Sequence, residues 1–435
     1  MKNYFKLLGL VVIGIVFLGS NIAQGETLQD AVKYMLESNP DIKAIAYNRL
    51  AKDQEVTQAK AGFYPSIDFA ASYGLQHDIY PTRVNTWPTE YILGLRQNLF
   101  AGGTTMSEVD RQKARVNSQA YLLQGTTENI TLQAAKAYSN VLRRTELYCL
   151  AKENLVNHER IYDQMKMRSE SGAGAAADLD QVKGRLALAE SNLIVAKANL
   201  VDARTDYIAV VGRMPEDLAE IPSMESAVPA SMGEVVDLAL KGYPIYKSAQ
   251  ADLEAREAQY RTAKNTLYPK VDAAVDYKWM DNVDYNPNWR EQLLATIMLR
   301  FNLFKGFSDK ARITETKHLA SEASEIMDST RRQIVQSIRL AWEAYTASSG
   351  KVIKLEDYVK SAEMTAEAFA KQWNLGRRTM FDLLDTQAEL INAKIDLVNS
   401  KYDKTDASYR VVAGMGKLAN TLGLEWAEEA KVATE

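Results

Sequence analysis

The chain repeats its own sequence pattern at a fixed separation of 204 residues, the distance from Pro40 to Pro244. The same offset holds for about 145 residues, through helix-like and strand-like stretches, and this period is far too long for a solenoid repeat. We therefore expect one structural unit used twice, with matching elements placed around a common axis. The matching positions are Thr27 and Ser231, Pro40 and Pro244, Tyr64-Pro65 and Tyr268-Pro269, Asn98-Leu99-Phe100 and Asn302-Leu303-Phe304, Ala137 and Ala341, and Gly172 and Gly376.

The first 25 residues predict a secretory signal peptide. Lys2 and Lys6 precede an apolar core over residues 7–18, and small and polar residues follow, with cleavage expected near Ala23 or Gly25. The alternative is an N-terminal membrane anchor, which is disfavoured because the apolar core has about 12 residues and a membrane span needs ~20. We therefore expect the mature protein to leave the cytoplasm.

The remaining composition narrows the class of protein. The formal net charge is −4 and no basic block is present, which argues against a nucleic-acid partner. Cys149 is the single cysteine, so no disulfide can form within the chain, and its helical context predicts a packed thiol. After the signal peptide, no stretch approaches ~18 consecutive apolar residues, so a membrane crossing would have to be made by a closed β-barrel.

Each half contains a pair of short segments in which apolar and polar residues alternate, within 64–100 and 268–304. The polar face carries full charges that a buried core would not accept unpaired, so we expect this face to line a watery lumen and the apolar face to meet lipid. The alternative is two hairpins of a soluble sheet with one wet face. The predicted lumen-facing charges are Asp68, Arg96, Asp272, Asp276, Lys278 and Arg300.

Four strands cannot close a barrel, and an open sheet edge is not tolerated in lipid. The smallest membrane barrels have about eight strands, so several chains would have to pool their strands. Two chains would supply eight and three would supply twelve, and an open lumen needs the larger number.

Most of the remaining chain predicts helices. Residues 107–169 and 308–375 contain no proline, and each stretch predicts one helix of over 60 residues, near 100 Å long at ~1.5 Å per residue. Return helices are expected over 178–211 and 382–413, and shorter helices over 42–61 and 245–266, each preceded by a capped short helix. Together, a shorter helix and a return helix nearly match the long one, which suggests stacked half-length helices beside it. The capping-box spacings are Thr27 with Asp30 and Ser231 with Glu234.

These elements divide the chain into a signal peptide (1–25), a first repeat (26–212), a linker (213–230), a second repeat (231–414) and a C-terminal tail (415–435). The predicted fold is mainly α with membrane β. Each chain would contribute four β-strands, from two tandem repeats, to a barrel continued by long helices in a coiled-coil arrangement.

This organisation resembles the TolC-like outer-membrane efflux protein family, also called outer membrane factors. The most specific match is the run LGRRTMFDLLD from Leu375 to Asp385, and the runs NLFAG and NLFKG that end at Gly102 and Gly306 are also typical. The resemblance implies a homotrimer with a 12-stranded outer-membrane barrel and an α-helical tunnel across the periplasm. It also implies cargo delivered by an inner-membrane transporter, either an RND pump or an ABC exporter for type I secretion, through a periplasmic adaptor (membrane fusion) protein.

The resemblance also assigns a periplasmic gate at the two glycine-led turns. Asp382 and Asp385 match the family's constricting carboxylates, and Trp373 matches a position where the family often has a gating aromatic. Arg378 matches a basic residue that ties neighbouring helices in the closed tip, and Asp178 matches its acidic partner. In a trimer each carboxylate forms a ring of three, which favours cations and raises carboxylate pKa values by crowding.

The alternative interpretation of the tips is structural. Asp178 and Asp382 would be N-cap residues and the arginines would belong to a solvated tip. Capping and gating are compatible with each other, so both interpretations stay open at this point.

No pattern of catalytic chemistry is present. The three histidines, His77, His158 and His318, are dispersed without metal-ligand spacing and are expected to be lone surface residues. We therefore expect no catalytic residues, metal site or cofactor, and no enzyme. The alternative function is a secreted coiled-coil adhesin or a periplasmic scaffold protein. Within the channel interpretation the cargo stays open: small toxic compounds, metals or a secreted protein.

Overall fold

A computed structural model describes residues 25–78, 84–171, 175–283 and 288–432. The predicted signal peptide falls outside these residues except for Gly25, and so does Gly172 of the repeat pattern. No helix in the described part of the chain is both long and apolar enough to cross a membrane.

The main sheet is antiparallel and consists of four strands, which are β1 (Ser66–Tyr73), β4 (Thr89–Phe100), β5 (Lys270–Asp281) and β6 (Arg290–Arg300). Their order across the sheet is β1-β4-β5-β6, so the β4–β5 pair joins the two repeats. A small second sheet pairs β2 (Gln76–Asp78) with β3 (Val84–Thr86) beyond the first hairpin. Strands β1 and β6 are the two edges of the main sheet.

The helices repeat in the same order in both halves. The first repeat has α1 (Leu28–Ser38), α2 (Pro40–Ala61), α3 (Thr104–Glu170) and α4 (Ala176–Val211). The second has α5 (Met232–Gly242), α6 (Pro244–Asn265), α7 (Ser308–Asn374) and α8 (Met380–Gly414), and α9 (Leu418–Thr421) follows in the tail. Helices α3 and α7 have 67 residues each, close to 100 Å at ~1.5 Å per residue.

Helix α3 is the central support of the chain. It packs against α2 and α4 of its own repeat and against α6 and α8 of the other. With 22 and 36 residues, α2 and α4 together nearly match the length of α3, as predicted for two shorter helices beside a long one. Small polar contacts permit a close approach, for example between the Ser118 and Ser248 hydroxyls at 3.1 Å.

Local sequence explains where the elements begin. Thr27 and Asp30 form the predicted capping box of α1, and the Ser231 hydroxyl accepts a hydrogen bond from the Glu234 N–H at 3.3 Å. The NLFxG runs place Gly102 and Gly306 in the left-handed region, at φ 64° and 56°. A Cβ atom on Gly102 would lie 2.7 Å from the Tyr268 Cβ, so this turn into α3 requires glycine.

The segment between the repeats is packed against the helices at mid-length. Glu26 and Leu218 form a parallel β-bridge. The Tyr138 hydroxyl hydrogen-bonds the carbonyls of Glu26 and Ala219 at 2.7 and 2.6 Å, and the Tyr409 hydroxyl donates to the Pro222 carbonyl at 2.8 Å. The main apolar core surrounds these tyrosines and draws on helices of both repeats.

Glu128 attaches the C-terminal tail to α3. Its side chain is only 1% exposed, and its carboxylate accepts hydrogen bonds from the Leu418 N–H (2.8 Å), the Ala419 N–H (3.2 Å) and the Trp426 Nε1–H (3.3 Å). Burial raises the pKa of this carboxyl, while the three donors favour its charged form. The tail is therefore held by a buried acceptor on a helix of the first repeat.

Two side chains on α3 contradict their predicted environment. Cys149 is exposed in this chain, so the prediction of a packed thiol is wrong. His158 is buried, with Nδ1 2.9 Å from the Asn154 carbonyl, so the prediction of a surface histidine is also wrong. A helix of this length meets different neighbours along its course, so periodicity alone does not tell which face is covered at a given turn.

Replacing Glu128 by glutamine should weaken the docking of the tail. An amide keeps one acceptor oxygen and presents an NH₂ group to a buried N–H, so a buried donor loses its partner. We expect the tail to open more easily by about 1 to 3 kcal/mol, measured by hydrogen exchange over residues 418–430 in the purified protein. Glu153→Gln, at an exposed position of the same helix, is the control. Equal exchange in both variants would contradict the role of Glu128.

Candidate functional site

The glycine-led turn between α7 and α8 is built by local hydrogen bonds. Helix α7 ends at Asn374, and Gly376 takes a left-handed conformation with φ 71°. The Arg377 N–H donates to the Gln372 carbonyl and the Gly376 N–H to the Trp373 carbonyl, both at 2.9 Å, as in a Schellman motif. The matching turn between α3 and α4 includes residues 172–174, which lie outside the described residues.

Asp382 belongs to a capping box at the start of α8. Its N–H donates to the Thr379 hydroxyl (3.2 Å), and its carboxylate accepts from the Thr379 N–H (3.1 Å). The Thr379 N–H, and then its hydroxyl, hold the pKa of Asp382 below its usual value. Within one chain the pKa shift is therefore opposite in direction to the one predicted from crowding in a ring.

The prediction that Asp178 and Asp382 are N-cap residues is wrong. The N-caps are Ala175 for α4 and Thr379 for α8, and Asp178 and Asp382 each occupy the third helical position. Both carboxylates still lie in the first turn, where the helix dipole favours negative charge.

Arg378 makes its contacts within its own helical hairpin. Its Nε–H donates to the Gln372 side-chain oxygen at 3.1 Å, and its guanidinium lies 4.1 Å from the centre of the Phe369 ring and 3.8 Å from the Asp382 carboxylate. Asp178 is half-buried on α4, and among the residues described here it forms no ion pair with Arg378. The predicted Arg378–Asp178 bond stays a prediction for the contacts between neighbouring chains.

Trp373 lies between the two helical hairpins rather than at a free tip. It is 6% exposed and belongs to a tip cluster, which consists of Ile161, Met165, Val182, Trp373, Met380, Leu383 and Leu384. The Arg168 guanidinium covers its ring, 4.3 Å from the centre. Because the tip cluster draws on α3, α4, α7 and α8, Trp373 helps to hold the two hairpins of one chain together.

Asp385 is not a member of the tip cluster and forms an ion pair across the hairpins. Its side chain is 72% exposed, and its Oδ1 lies 3.1 Å from Nη2 of Arg185 on α4. Sequence analysis did not identify Arg185 or Arg168 as site residues. The available signal was weak: Arg185 follows Asp178 by seven residues, or about two helical turns, and so shares its side of α4.

The predicted strand charges share one face of the main sheet. Residues opposite each other in an antiparallel pair project to the same side, and the register places all six charges on that side. They are Asp68, Arg96, Asp272, Asp276, Lys278 and Arg300. Ion pairs on this face include Arg96–Asp276 at 3.1 Å, Arg300–Asp272 at 3.1 Å and Lys278–Glu90 at 3.9 Å. The face therefore carries both signs of charge in cross-strand pairs.

The opposite face of the sheet is apolar and exposed. Ile67, Phe69 and Tyr73 of β1 and Leu293 and Ile297 of β6 leave most of their surface uncovered. A continuous apolar face of this kind favours contact with lipid or another apolar surface. No group of histidine, cysteine, aspartate or glutamate side chains suited to a metal ion occurs in the described part of the chain.

Comparison with known proteins agrees with this architecture. A family model described as outer membrane efflux protein matches residues 31–213 and 235–417, once in each repeat. The outer membrane efflux protein BepC of Brucella suis biovar 1 (strain 1330) is 24% identical over 432 residues, which cover 98% of this chain and 94% of BepC. The outer membrane protein TolC of Escherichia coli (strain K12) is 22% identical over 391 residues, covering 86% and 79% of the two chains. The crystal structure of the outer membrane protein VceC from Vibrio cholerae matches with a TM-score of 0.78 at 17% identity, covering 89% of this chain and 96% of that one.

Shortening Trp373 to alanine should loosen the tip. The change removes the largest side chain of the tip cluster and the ring that Arg168 covers, so local opening should become easier by about 3 to 5 kcal/mol. Hydrogen exchange of the α3–α4 and α7–α8 tips measures this. Phe381→Ala, which removes an exposed aromatic at the same tip, should have little effect. A similar response in both variants would show that the packing of Trp373 does not hold the hairpins together.

Acidification should abolish the stabilisation that Asp382 contributes to α8. Its pKa is lowered from 3.8, so the carboxylate stabilises the folded tip above that pH, and this contribution is lost as the pH falls through the lowered value. The difference in melting temperature between wild type and Asp382→Asn should be present at neutral pH and should vanish below the lowered pKa. Asp180→Asn, at an exposed position on α4, is the control. A difference that grows on acidification would contradict the assignment.

Proposed function

The chain belongs to the outer membrane efflux protein family, and we propose that three copies form an exit duct from the periplasm through the outer membrane. Family membership and the fold favour a channel over the alternative of a secreted adhesin or a periplasmic scaffold protein. The family consists of transport channels located in the outer membrane.

The main sheet is the observation that best supports this proposal, because it has one charged face, one apolar face and two edges that are unpaired in the described part of the chain. In lipid every backbone N–H and C=O needs a partner, so the edges β1 and β6 must pair with edges from other copies. Three copies supply twelve strands, enough to enclose an open lumen. The apolar face then meets lipid, and the paired charges that include Arg96–Asp276 line the aqueous bore.

The helices continue this bore into the periplasm. Because α3 and α7 both follow strands of the same sheet and run for 67 residues, three copies provide six long helices and the shorter helices beside them. The tips of the hairpins then meet near the common axis, far from the membrane. Asp382 and Asp385 form rings of three at that position, and these rings favour cations over anions.

Opening of this gate requires the α7–α8 hairpin to move away from the α3–α4 hairpin. The contacts that resist the movement are the tip cluster, the Arg168–Trp373 contact and the proposed bond between Arg378 and Asp178 of neighbouring chains. A periplasmic adaptor would bind the tips and connect them to an inner-membrane transporter of the RND or ABC type. The cargo class is a small toxic compound, a metal or a secreted protein.

Recording from the purified protein in a planar bilayer tests the proposal. We expect a detergent-stable trimer that conducts ions with a cation preference, and a smaller preference in Asp382→Asn/Asp385→Asn because the rings lose their charge. Asp180→Asn is the matched control, since it removes an exposed carboxylate from α4 outside the rings. A monomeric protein without current would overturn the channel. A conducting double variant with unchanged preference would remove the two aspartates from the gate.

A further inference from the structure

We propose that Arg185 couples the ion selectivity of the tip to its opening, by neutralising Asp385 in the closed state and releasing it in the open state. This inference rests on the proposed channel function. It adds a positioning residue, Arg185, that neither the repeat pattern nor the resemblance assigns.

The two carboxylates at the start of α8 are held in different ways. The Asp382 carboxylate accepts from the Thr379 N–H and lies 3.8 Å from the Arg378 guanidinium, and both partners belong to the same hairpin and move with it. The partner of Asp385 is Arg185 on α4, which belongs to the other hairpin. Separation of the hairpins therefore leaves the contacts of Asp382 intact and breaks the contact of Asp385.

The surroundings of the ion pair make the Arg185 side chain suited to this role. Arg185 is 35% exposed and follows Val182 by one helical turn, and Asp385 directly follows Leu384. Val182 and Leu384 are both buried in the tip cluster, whereas Asp385 is 72% exposed, so the ion pair lies at the surface beside the cluster. Screening by water and salt keeps such a surface pair weak, so separation of the hairpins can break it and their return can re-form it.

The charge seen by a permeating ion then depends on the state of the tip. In the closed tip the Arg185 guanidinium lies 3.1 Å from Asp385 and offsets its negative charge. The charge at Asp382, which has Arg378 of the same hairpin at 3.8 Å, does not change with the state of the tip. In the open tip Asp385 is free, and a second ring of carboxylates adds to the first. Opening therefore raises the cation preference together with the conductance.

Planar-bilayer recording of Arg185→Gln, Asp385→Asn and the double variant tests this coupling, with trimer formation checked on a gel. Arg185→Gln should raise the open fraction about five- to tenfold, since three weak surface pairs per trimer are lost together. It should also raise the cation-to-anion permeability ratio, obtained from the reversal potential in a salt gradient. Asp385→Asn should raise the open fraction similarly but lower the ratio.

The double variant should match Asp385→Asn in both properties, because the two residues act as one unit and their effects do not add. Lys183→Gln removes an exposed positive charge two residues from Arg185 and should leave both properties unchanged. The coupling is overturned if Arg185→Gln behaves like Lys183→Gln, or if the effects of the two single variants add. Absence of current from the wild-type protein would instead overturn the proposed channel, and the coupling with it.

Discussion

The pairing of β4 with β5 is the interaction on which the rest of the structure depends. Each repeat alone would supply a single hairpin, which is marginally stable and leaves most of its backbone groups without partners. The β4–β5 ladder, with residues 89–100 opposite 271–281, joins the two hairpins into one four-stranded sheet. Because α3 and α7 follow β4 and β6 through equivalent NLFxG turns, this one joint also fixes where the two long helices begin, and α6 packs against both of them.

The same sheet explains why a single chain is incomplete. Its edges cannot remain open in lipid, and its apolar face needs a non-aqueous neighbour. Its charged face needs water, and it carries both signs of charge in cross-strand pairs rather than a field of one sign. A sheet closed by further copies satisfies the edges and both faces at once, which is why the family fold and the sheet point to the same assembly.

At the helical tips, which lie far from the sheet, packing and charge contribute in different ways. The tip cluster joins the hairpins by apolar burial, with Trp373 between them, and supplies most of the cohesion. The charged groups contribute less energy because they are largely exposed. In the proposed channel they set the charge that a passing ion meets. Glu128 also joins distant segments, near the middle of α3. Its buried carboxylate attaches the C-terminal tail, which follows the second repeat, to a helix of the first repeat.

A good part of this structure could be predicted from the residues alone. The 204-residue offset, the alternation in the strands and the long runs without proline predicted two repeats, four strands and two long helices, because each depends on local periodicity. The capping box at Thr27 and the glycine of the NLFxG turn are local as well. The predicted ends of the two long helices lie within a few residues of the observed ends.

Only the tertiary structure decided which side of each helical turn is buried and which element covers it. Cys149 and His158 lie on one helix with the same periodicity, yet the first is exposed and the second buried, because different elements pack along α3. The position of Trp373 between the hairpins and the pairing of Arg185 with Asp385, 200 residues away, follow from the way α4 and α8 meet. Sequence periodicity determines the elements, whereas contacts between distant segments depend on three-dimensional packing that no local pattern records.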